Sequence, residues 1–252
     1  MAREEQKLEL AFTPLLYRQD ALPTPYVVVL IDILRATTSI CTAFAHGVEA
    51  MIPVATLEEA KHYKGKGYIT AAEREGIKAD FADLGNSAFH FMKPELRGKT
   101  IVYSTTNGTQ AFSVINSNNI DVVIGAFANL SVLTKWLIED GRNIYLLCAG
   151  WKGRFNLEDT IFAGALTSSL IQSGKLYIQS DAVMASIDLW NLAKNNLTEY
   201  LLKAEHSERL KHLGLDDVIP YTLTFDTCPV VPLARNGLIR LASLPHHEHL
   251  YD

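Results

Sequence analysis

Hydrophobic runs of strand length alternate along the chain with segments whose apolar residues follow helical spacing. Three of these runs stop at clusters of reactive side chains, and a helical pattern follows each cluster: residues 26–31, 100–103 and 143–147. Further strands are predicted at residues 8–12, 50–54, 68–72 and 121–125. This alternation is typical of an α/β fold, with a layered αβα architecture around a mostly parallel or mixed sheet.

The same pattern predicts where individual elements begin and end. Residues 8–12 come first and are expected to form an edge strand. An apolar stripe over residues 157–170 predicts a helix of nearly four turns. A final long helix is expected over about residues 186–206, with Leu189 and Leu192 among its inward-facing residues. The Asn236-Gly237 pair predicts a turn near the end of the chain.

The length of the chain limits its domain organisation. A chain of 252 residues can form one large α/β domain or two closely joined lobes. No low-complexity linker divides it. We therefore expect a single α/β unit over residues 1–252, whose lobes, if it has two, would be 1–128 and 129–252.

Charge and cysteine usage exclude several kinds of partner. A net charge of −5 without a long Lys/Arg block argues against nucleic-acid binding, although local basic groups can still bind a small anionic substrate. The three cysteines are widely spaced and lack a CxxC pattern, which together with the absence of an N-terminal signal favours a reducing cytoplasm. The longest apolar run is too short to cross a bilayer, so no membrane partner is expected. The sequence is compatible with a homo-oligomer.

The first cluster pairs Asp32 with Arg35 at the end of a buried strand. In open α/β sheets ligands bind at the carboxyl ends of strands, where loop amides and helix N-termini point at them. A carboxylate held there can bind a hard cation or attack an electrophile, and the guanidinium fork suits phosphate or sulfonate oxygens. The alternative is an aspartate that caps the following helix, with Arg35 at the surface.

The second cluster is a dense array of hydrogen-bond donors between a strand and a helix: Ser104, Thr105, Thr106, Asn107, Gly108 and Thr109. Gly108 permits a tight turn, and the N-terminus of the helix supplies partial positive charge. Capping a helix needs only one or two such residues, so the array favours anion binding. It is not a Walker A loop, because the glycine and lysine spacing of that motif is absent.

The third cluster has two incompatible interpretations. Cys148 and Arg154 have the spacing of the phosphate loop in cysteine-dependent phosphatases, in which the thiolate is the nucleophile. Alternatively, Glu158 and Asp159 could join Asp32 around a magnesium ion. A cysteine that closes a buried strand is also commonly inert packing, and two acids in a first helical turn are favoured by the helix dipole.

Taken in order, the clusters resemble the 2-phosphosulfolactate phosphatase family. The segments that carry the resemblance are residues 32–38, 73–76, 84–87, 104–109 and 148–159. The resemblance implies an α/β phosphatase that catalyses a magnesium-dependent step of coenzyme M biosynthesis, the hydrolysis of (2R)-phospho-3-sulfolactate to 3-sulfolactate and phosphate. Ala72 and Ala88 depart from the family pattern, in which glycine and proline are usual.

These considerations lead to one preferred assignment of roles. Asp32, Arg35, Glu158 and Asp159 are predicted to be catalytic, and Mg²⁺ is expected to be held by Asp32, Glu73, Glu158 and Asp159. Substrate binding is expected at Arg74, Asn86, Ser87, Ser104, Thr105, Thr106, Asn107, Gly108, Thr109, Gly150 and Gly153. Two alternatives stay open: a metal-independent cysteine phosphatase that uses Cys148 and Arg154, and a non-catalytic protein that binds small anions.

Overall fold

The computed structural model describes residues 5–115 and 120–243. The strands within these residues are β1 (Gln6–Ala11), β2 (Tyr26–Ile31), β3 (Ala50–Pro53), β4 (Ile69–Arg74), β5 (Ile77–Lys78), β6 (Thr100–Ser104), β7 (Val122–Gly125), β8 (Asn143–Cys148), β9 (Leu176–Tyr177), β10 (Pro232–Arg235) and β11 (Leu238–Leu241). The α-helices are α1 (Ala36–Ala45), α2 (Leu57–Gly65), α3 (Gly108–Val114), α4 (Leu130–Asp140), α5 (Leu157–Ile171), α6 (Asp181–Ala193), α7 (Leu197–Leu201), α8 (Glu205–His212) and α9 (Val218–Thr222). Short 3-10 helices join several of these elements.

All of these strands belong to one mixed sheet, in the order β5-β4-β6-β3-β11-β10-β7-β2-β8-β1-β9. One group of parallel strands surrounds β2, and a second group contains β3, β6 and β4. The antiparallel pair β10–β11 joins the two groups. The prediction of an α/β fold with a mixed sheet is confirmed, and strands from both halves of the chain contribute to the sheet.

The hairpin in the middle of the sheet is closed by the predicted turn. Asn236 and Gly237 both have positive φ angles, 52° and 75°, which a two-residue hairpin turn requires. The turn places Arg235 opposite Leu238. The Asn236-Gly237 pair in the sequence therefore predicts the turn of the hairpin that joins the two parallel groups.

The carboxyl ends of the strands in both groups reach one cleft, although the three antiparallel pairings between the groups make their strands antiparallel to each other. Five steps separate β2 from β6 in the sheet. Because each step adds roughly 20–25° of twist, these steps rotate the second group by about 100–125° relative to the first. That rotation allows Asp32, which follows β2, and Thr106, which follows β6, to line the same cleft.

The core lies on both faces of β2, whose six residues are all buried. Strands covered on both faces are continuously hydrophobic, and this explains the run of valine, leucine and isoleucine in β2. Helices α5 and α6 approach closely on one side of the sheet, where Gly164 faces the backbone of Ser186. Among the described residues, no helix combines the length and the apolar composition needed to cross a membrane.

Two predicted elements differ from the structure. The segment predicted as an edge strand is β1, which lies between β8 and the two-residue β9 and is therefore not at the edge. The single long helix expected over residues 186–206 is instead divided among α6, α7 and α8. Asn196 caps α7 by accepting a hydrogen bond from Glu199 N at 3.4 Å, and Leu192, expected to face inward, is 69% exposed. Asparagine favours caps over helix interiors, which explains the break.

Candidate active site

Asp32 directly follows β2 in the short loop before α1 and is almost completely buried. The Thr37 backbone N–H donates to the Asp32 carbonyl at 2.8 Å, whereas the side chain accepts only a long 3.5 Å bond from Ala36 N. The carboxylate is therefore not held as a well-formed helix cap. Burial raises the pKa of Asp32 to about 6, and the charges of Glu73 and Glu158 add to this, while His206 opposes it.

Glu73, at the end of β4, joins two loops of the cleft. Its Oε1 accepts from Thr106 N at 2.7 Å, and its Oε2 accepts from Gly76 N at 2.6 Å and from Thr106 Oγ1 at 3.2 Å. Both carboxylate oxygens are thus used within the protein. Glu73 holds the loop after β6 against the turn at Gly76, whose positive φ of 91° is accessible to glycine.

Asp159, in the first turn of α5, has a similar positioning role beneath the cleft. Its Oδ1 accepts from Ile33 N at 2.9 Å, and its Oδ2 accepts from Asn156 Nδ2 at 2.8 Å and from Gly150 N at 3.3 Å. Burial raises the pKa of Asp159 well above its usual range, and the charges of Asp32 and Glu158 raise it further. Asp159 therefore ties the loops after β2 and β8 to α5.

Glu158 makes different contacts from its neighbour. Its Oε1 lies 2.7 Å from His206 Nδ1 and accepts from Asn156 Nδ2 at 3.2 Å. Its Oε2 is buried and has no hydrogen-bond partner among the described residues. A buried carboxylate oxygen without a partner is costly, so this atom is available to a ligand.

His206 and Arg209, both on α8, form a chain that starts at Glu158. Arg209 Nη2 lies 2.6 Å from His206 Nε2. Since a guanidinium group can only donate, His206 Nε2 is the acceptor and its Nδ1–H donates to Glu158. The Arg209 guanidinium also stacks on Trp151, with its central carbon 3.2 Å from the ring centroid.

Arg35 supplies a second buried guanidinium. Its Nη2 donates to the Gly76 carbonyl at 3.0 Å, and its side chain borders the same cleft as Arg209. Burial lowers the pKa of Arg35, whereas the nearby charges of Glu73, Tyr103, Asp32 and Asp217 raise it. The alternative in which Arg35 is a surface residue is therefore wrong, since it is only 6% exposed.

All of these side chains except Glu158 and Asp159 line one polar cleft at the ends of β2, β4 and β6, and Glu158 lines a neighbouring cavity. The lining residues of the cleft are Asp32, Leu34, Arg35, Glu73, Gly76, Asn86, Thr106, Asn107, Trp151, His206 and Arg209. Six of them were predicted site residues: Asp32, Arg35, Glu73, Asn86, Thr106 and Asn107. The sequence clusters therefore do converge, and acidic and cationic groups face each other across the cleft.

Several other predicted substrate-binding residues support the loops and do not line the cleft. Arg74 Nη2 donates to Ser104 Oγ and to the Ala55 carbonyl, both at 3.1 Å, and its Nη1 donates to the Glu73 carbonyl at 2.6 Å. Arg74 is therefore occupied by the protein itself. Ser87 precedes a 3-10 helix (Ala88–Met92) without capping it through its side chain.

The remaining predicted residues shape the loops after β6 and β8. Gly150 and Gly153 have positive φ angles of 63° and 77° within the loop that carries Trp151. A Cβ on Gly108 would lie 3.3 Å from Asp32 Oδ2, so this glycine allows the loop to approach the carboxylate. Thr105 is buried, and Thr109 lies in the first turn of α3, where its side chain is outside the described part of the structure.

The carboxylates of the site are suited to a magnesium ion only in part. Within residues 5–115 and 120–243, no group of three or more His, Cys, Asp or Glu side chains is arranged to hold a metal. Glu158 Oε2 has no partner among the described residues, and the side chain of Asp32 accepts a long bond from Ala36 N, whereas Glu73 and Asp159 use both of their oxygens. Mg²⁺ commonly binds one or two carboxylates together with water and substrate phosphate. The donor set fits that arrangement, and coordination by all four predicted carboxylates stays a prediction.

The pair proposed for cysteine chemistry is not assembled. Cys148 is completely buried, and its thiol pKa is raised well above the ordinary value, chiefly by burial and then by Asp159 and Glu158. Arg154 is 68% exposed and pairs with Glu205 at 2.9 Å. A nucleophilic cysteine needs a lowered pKa and access to substrate, and Cys148 has neither.

The sequence did not identify Trp151, His206 and Arg209 as site residues. Trp151 belongs to the third cluster but has no charge that suggests chemistry. His206 and Arg209 lie three residues apart on a helix that the pattern merged with α6, and their shared face is evident only once α8 is recognised. The i, i+3 spacing of His206 and Arg209 was the sequence signal that could have identified them.

Comparison with known proteins supports one family. The family model described as 2-phosphosulpholactate phosphatase matches residues 11–237. A relative from Thermotoga maritima is 36% identical over 217 residues, 86% of this chain and 92% of the relative. Relatives from Caldanaerobacter subterraneus subsp. tengcongensis and Gloeothece citriformis are each 34% identical, over 84% and 91% of this chain and 89% and 96% of their own lengths.

Each of these three relatives carries the name "Probable 2-phosphosulfolactate phosphatase". The family model spans the β2, β6 and β8 clusters and both residues of α8 that reach the cleft, His206 and Arg209. On the extent of these matches, the chain belongs to the 2-phosphosulfolactate phosphatase family of phosphoric monoester hydrolases.

Proposed function

We propose that this protein hydrolyses (2R)-phospho-3-sulfolactate to 3-sulfolactate and phosphate, as a step in coenzyme M biosynthesis. The observation that carries the proposal is the cleft itself, in which the buried carboxylate of Asp32 faces the guanidinium groups of Arg35 and Arg209. A substrate with several acidic groups needs separate cationic contacts, and phosphoryl transfer needs an ionised group beside the phosphorus. The names of the relatives support the substrate.

Asp32 has the position expected of the group that acts on phosphorus. It lies at the N-terminus of α1, opposite the donor-rich loop that begins at Thr105. In this position it either orients a water molecule or attacks the phosphorus directly, and both routes need the ionised carboxylate. With the pKa of Asp32 at about 6, that form dominates at neutral pH.

Arg35 and the loop after β6 bind the phosphoryl oxygens in this proposal. Arg35 is held by Gly76, and Glu73 holds the loop after β6 through the N–H and the hydroxyl of Thr106, so Arg35 and this loop are in place before the substrate arrives. Fixed donors stabilise the charge that develops in the transition state, because they need no reorganisation at that moment. Asn107 Oδ1 accepts from Lys152 N at 3.4 Å and thereby links this loop to the loop after β8.

We also propose that the reaction depends on Mg²⁺, held by Asp32 and by Oε2 of Glu158 together with the substrate. The support is the buried Glu158 Oε2, which has no partner among the described residues, together with the long hydrogen bond that the Asp32 side chain accepts from Ala36 N. A divalent cation there would neutralise the negative charge of the phosphoryl group. His206 orients Glu158 for this role through its 2.7 Å hydrogen bond.

Release of inorganic phosphate from (2R)-phospho-3-sulfolactate, with Mg²⁺ or with EDTA, tests the proposal. We expect turnover that requires Mg²⁺ and falls at least about 100-fold in Asp32→Asn, the typical cost of losing a key electrostatic group. Asp188→Asn, which removes an exposed acid of α6, is the control and should retain wild-type turnover. Tight binding of the substrate without phosphate release would instead support the anion-binding alternative.

Thermal melting tests the metal assignment without a measurement of turnover. Mg²⁺ should raise the melting temperature of the wild type, since a ligand that binds only the folded state stabilises it. The same addition should have little effect on Asp32→Asn and should retain its full effect on Asp188→Asn. An equal shift in all three proteins would remove Asp32 from the metal site.

A further inference from the structure

Arg209 carries two hydrogen-bond donors that the protein does not use. Its Nε and Nη1 atoms are buried, and neither has a partner within the described residues. Its other contacts are the 2.6 Å bond from Nη2 to His206 and the stacking on Trp151. Each buried polar atom without a partner in a native protein requires an explanation, and a missing ligand is one.

The surroundings of Arg209 specify the kind of ligand. Burial lowers the pKa of Arg209 first of all, Glu73, Glu158 and Asp32 raise it, and Arg35 opposes them. No carboxylate lies within ion-pair distance of the guanidinium in the part of the chain that the structure describes. An oxyanion that binds one of these unused donors would supply a missing hydrogen bond and the missing negative charge.

The guanidinium is already held in one orientation. Trp151 covers one face of the guanidinium, and His206 binds Nη2, so Nε and Nη1 are the nitrogens that remain unused. Arginine N–H groups form strong, charge-assisted hydrogen bonds with carboxylate, phosphate and sulfonate oxygens. A group held in advance loses little conformational freedom on binding.

The position of Arg209 separates it from the reacting phosphate. Together with Trp151 and His206, it forms the wall between the polar cleft and a neighbouring cavity of about 620 Å³. Arg35, in contrast, lines the cleft but not this cavity. A substrate whose phosphate lies between Asp32 and Arg35 would therefore direct its remote end toward Arg209.

Arg74, which the sequence suggested for the second acidic group, cannot take this role in the observed arrangement. Its two terminal nitrogens donate to the carbonyls of Glu73 and Ala55 and to Ser104 Oγ. It does not line the cleft. Arg209 has the free donors that Arg74 lacks.

We propose that Arg209 binds the sulfonate of the substrate through a guanidinium donor that the protein leaves unused and so determines the preference for a phosphorylated sulfonic acid. This assignment rests on the proposed function. Trp151 and His206 are positioning residues in it, because they hold the guanidinium in place. The carboxylate and the phosphate of the substrate are bound by other groups.

Kinetics with two substrates test the assignment. The substrates are (2R)-phospho-3-sulfolactate and 2-phospholactate, which has the same phosphate and carboxylate but no sulfonate. We expect Arg209→Gln to lower kcat/KM for phosphosulfolactate by about 10- to 100-fold, the loss typical of a charged hydrogen-bonded contact, and to leave the value for phospholactate within about threefold. Arg209→Lys keeps the charge without the planar group that stacks on Trp151 and should give an intermediate loss.

Lys203→Gln is the matched control. Lys203 lines the same cavity, but its ammonium group stacks on Tyr200 and does not border the cleft. This variant removes the same charge from the same cavity and should keep the wild-type preference. An equal loss on both substrates in Arg209→Gln, or no loss on either, would overturn the assignment.

Binding of 3-sulfolactate, measured by calorimetry, separates the inference from the proposed function. Arg209→Gln should weaken binding of 3-sulfolactate at least about tenfold, and thermal melts should show that the variant is folded. If the wild type binds 3-sulfolactate through Arg209 yet releases no phosphate, the proposed function fails and the anion site stands. If the wild type hydrolyses the substrate and Arg209→Gln binds 3-sulfolactate normally, the inference fails and the proposed function stands.

Discussion

His206 Nδ1 lies 2.7 Å from Glu158 Oε1, and this contact joins α8 to the first turn of α5. Both side chains are buried, at 8% and 1% exposure. Because Arg209 donates to the other nitrogen of the ring, His206 is held as the Nδ1–H tautomer. A carboxylate at the site is thus oriented by a residue that lies 48 positions away in the sequence.

Removing this histidine should destabilise the protein measurably. His206→Ala leaves Glu158 with only the 3.2 Å bond from Asn156. Loss of a hydrogen bond to a charged group costs about 1.5–3 kcal/mol, and we expect this decrease in the free energy of unfolding in urea. His212→Ala, on the same helix and 75% exposed, should change it by less than about 0.5 kcal/mol. Equal effects in the two variants would contradict the role of His206.

The ionisation of Asp32 should oppose folding at neutral pH in metal-free protein. Its pKa rises from 3.8 to about 6 on folding, chiefly through burial. Between these values the folded state binds more protons than the unfolded state, so stability falls as pH rises through this range. Above about pH 6 the full penalty is present, and below about pH 4 it is absent.

Asp32→Asn should therefore be more stable than the wild type in EDTA near neutral pH, and the difference should disappear near pH 4. Thermal melts over this pH range measure the effect, with Asp188→Asn as the exposed control that shows no such difference. An inactive variant that is more stable than its parent is expected where a catalytic group is held in an unfavourable state. A variant less stable than the wild type at every pH would contradict the buried, ionised carboxylate.

Most of the fold could be predicted because its signals are local. Strand β2 is predicted by its run of six apolar residues, all of which are buried. The turn is predicted by the Asn236-Gly237 pair, and both residues have positive φ angles. The position of β1 inside the sheet could not be predicted from local signals, because β1 pairs with β8, a segment 136 residues away. Strand order depends on such long-range pairing.

The site could be predicted where it follows a strand and not where it lies on α8. Asp32 and Thr106 occupy strand ends, where ligands of α/β proteins bind, so their positions carried the signal. Arg209 contributes through a packing contact with Trp151 that no local pattern specifies. Arg74 also follows a strand and was predicted to bind substrate, whereas in the structure it hydrogen-bonds to the protein's own carbonyls, a long-range packing contact that its position in the sequence does not reveal.

Substitution of Cys148 should leave catalysis nearly intact. The thiol is completely buried with a raised pKa, and it does not line the cleft. We expect Cys148→Ser to retain turnover within a few-fold of the wild type and to remain sensitive to EDTA. Cys148→Ala separates a folding defect caused by the buried hydroxyl from a chemical effect. Loss of turnover in both folded variants, together with indifference to metal, would restore the cysteine mechanism.

The close contact between α5 and α6 should be sensitive to a single methyl group. A Cβ on Gly164 would lie 2.0 Å from the Ser186 carbonyl oxygen and 2.9 Å from Trp190 Cβ, so the helices would have to separate. Since α5 carries Glu158 and Asp159 in its first turn, we expect Gly164→Ala to lower both the free energy of unfolding, by about 1–3 kcal/mol, and turnover.

Gly65→Ala is the matched control for this substitution, because Gly65 is also helical and an added Cβ would meet nothing within 4 Å. It should stabilise the protein slightly, by up to about 1 kcal/mol, since alanine restricts the unfolded chain and favours helix. Urea unfolding of both variants measures the difference. Changes of the same sign would mean that helix propensity, and not the approach of α6, determines the effect at Gly164.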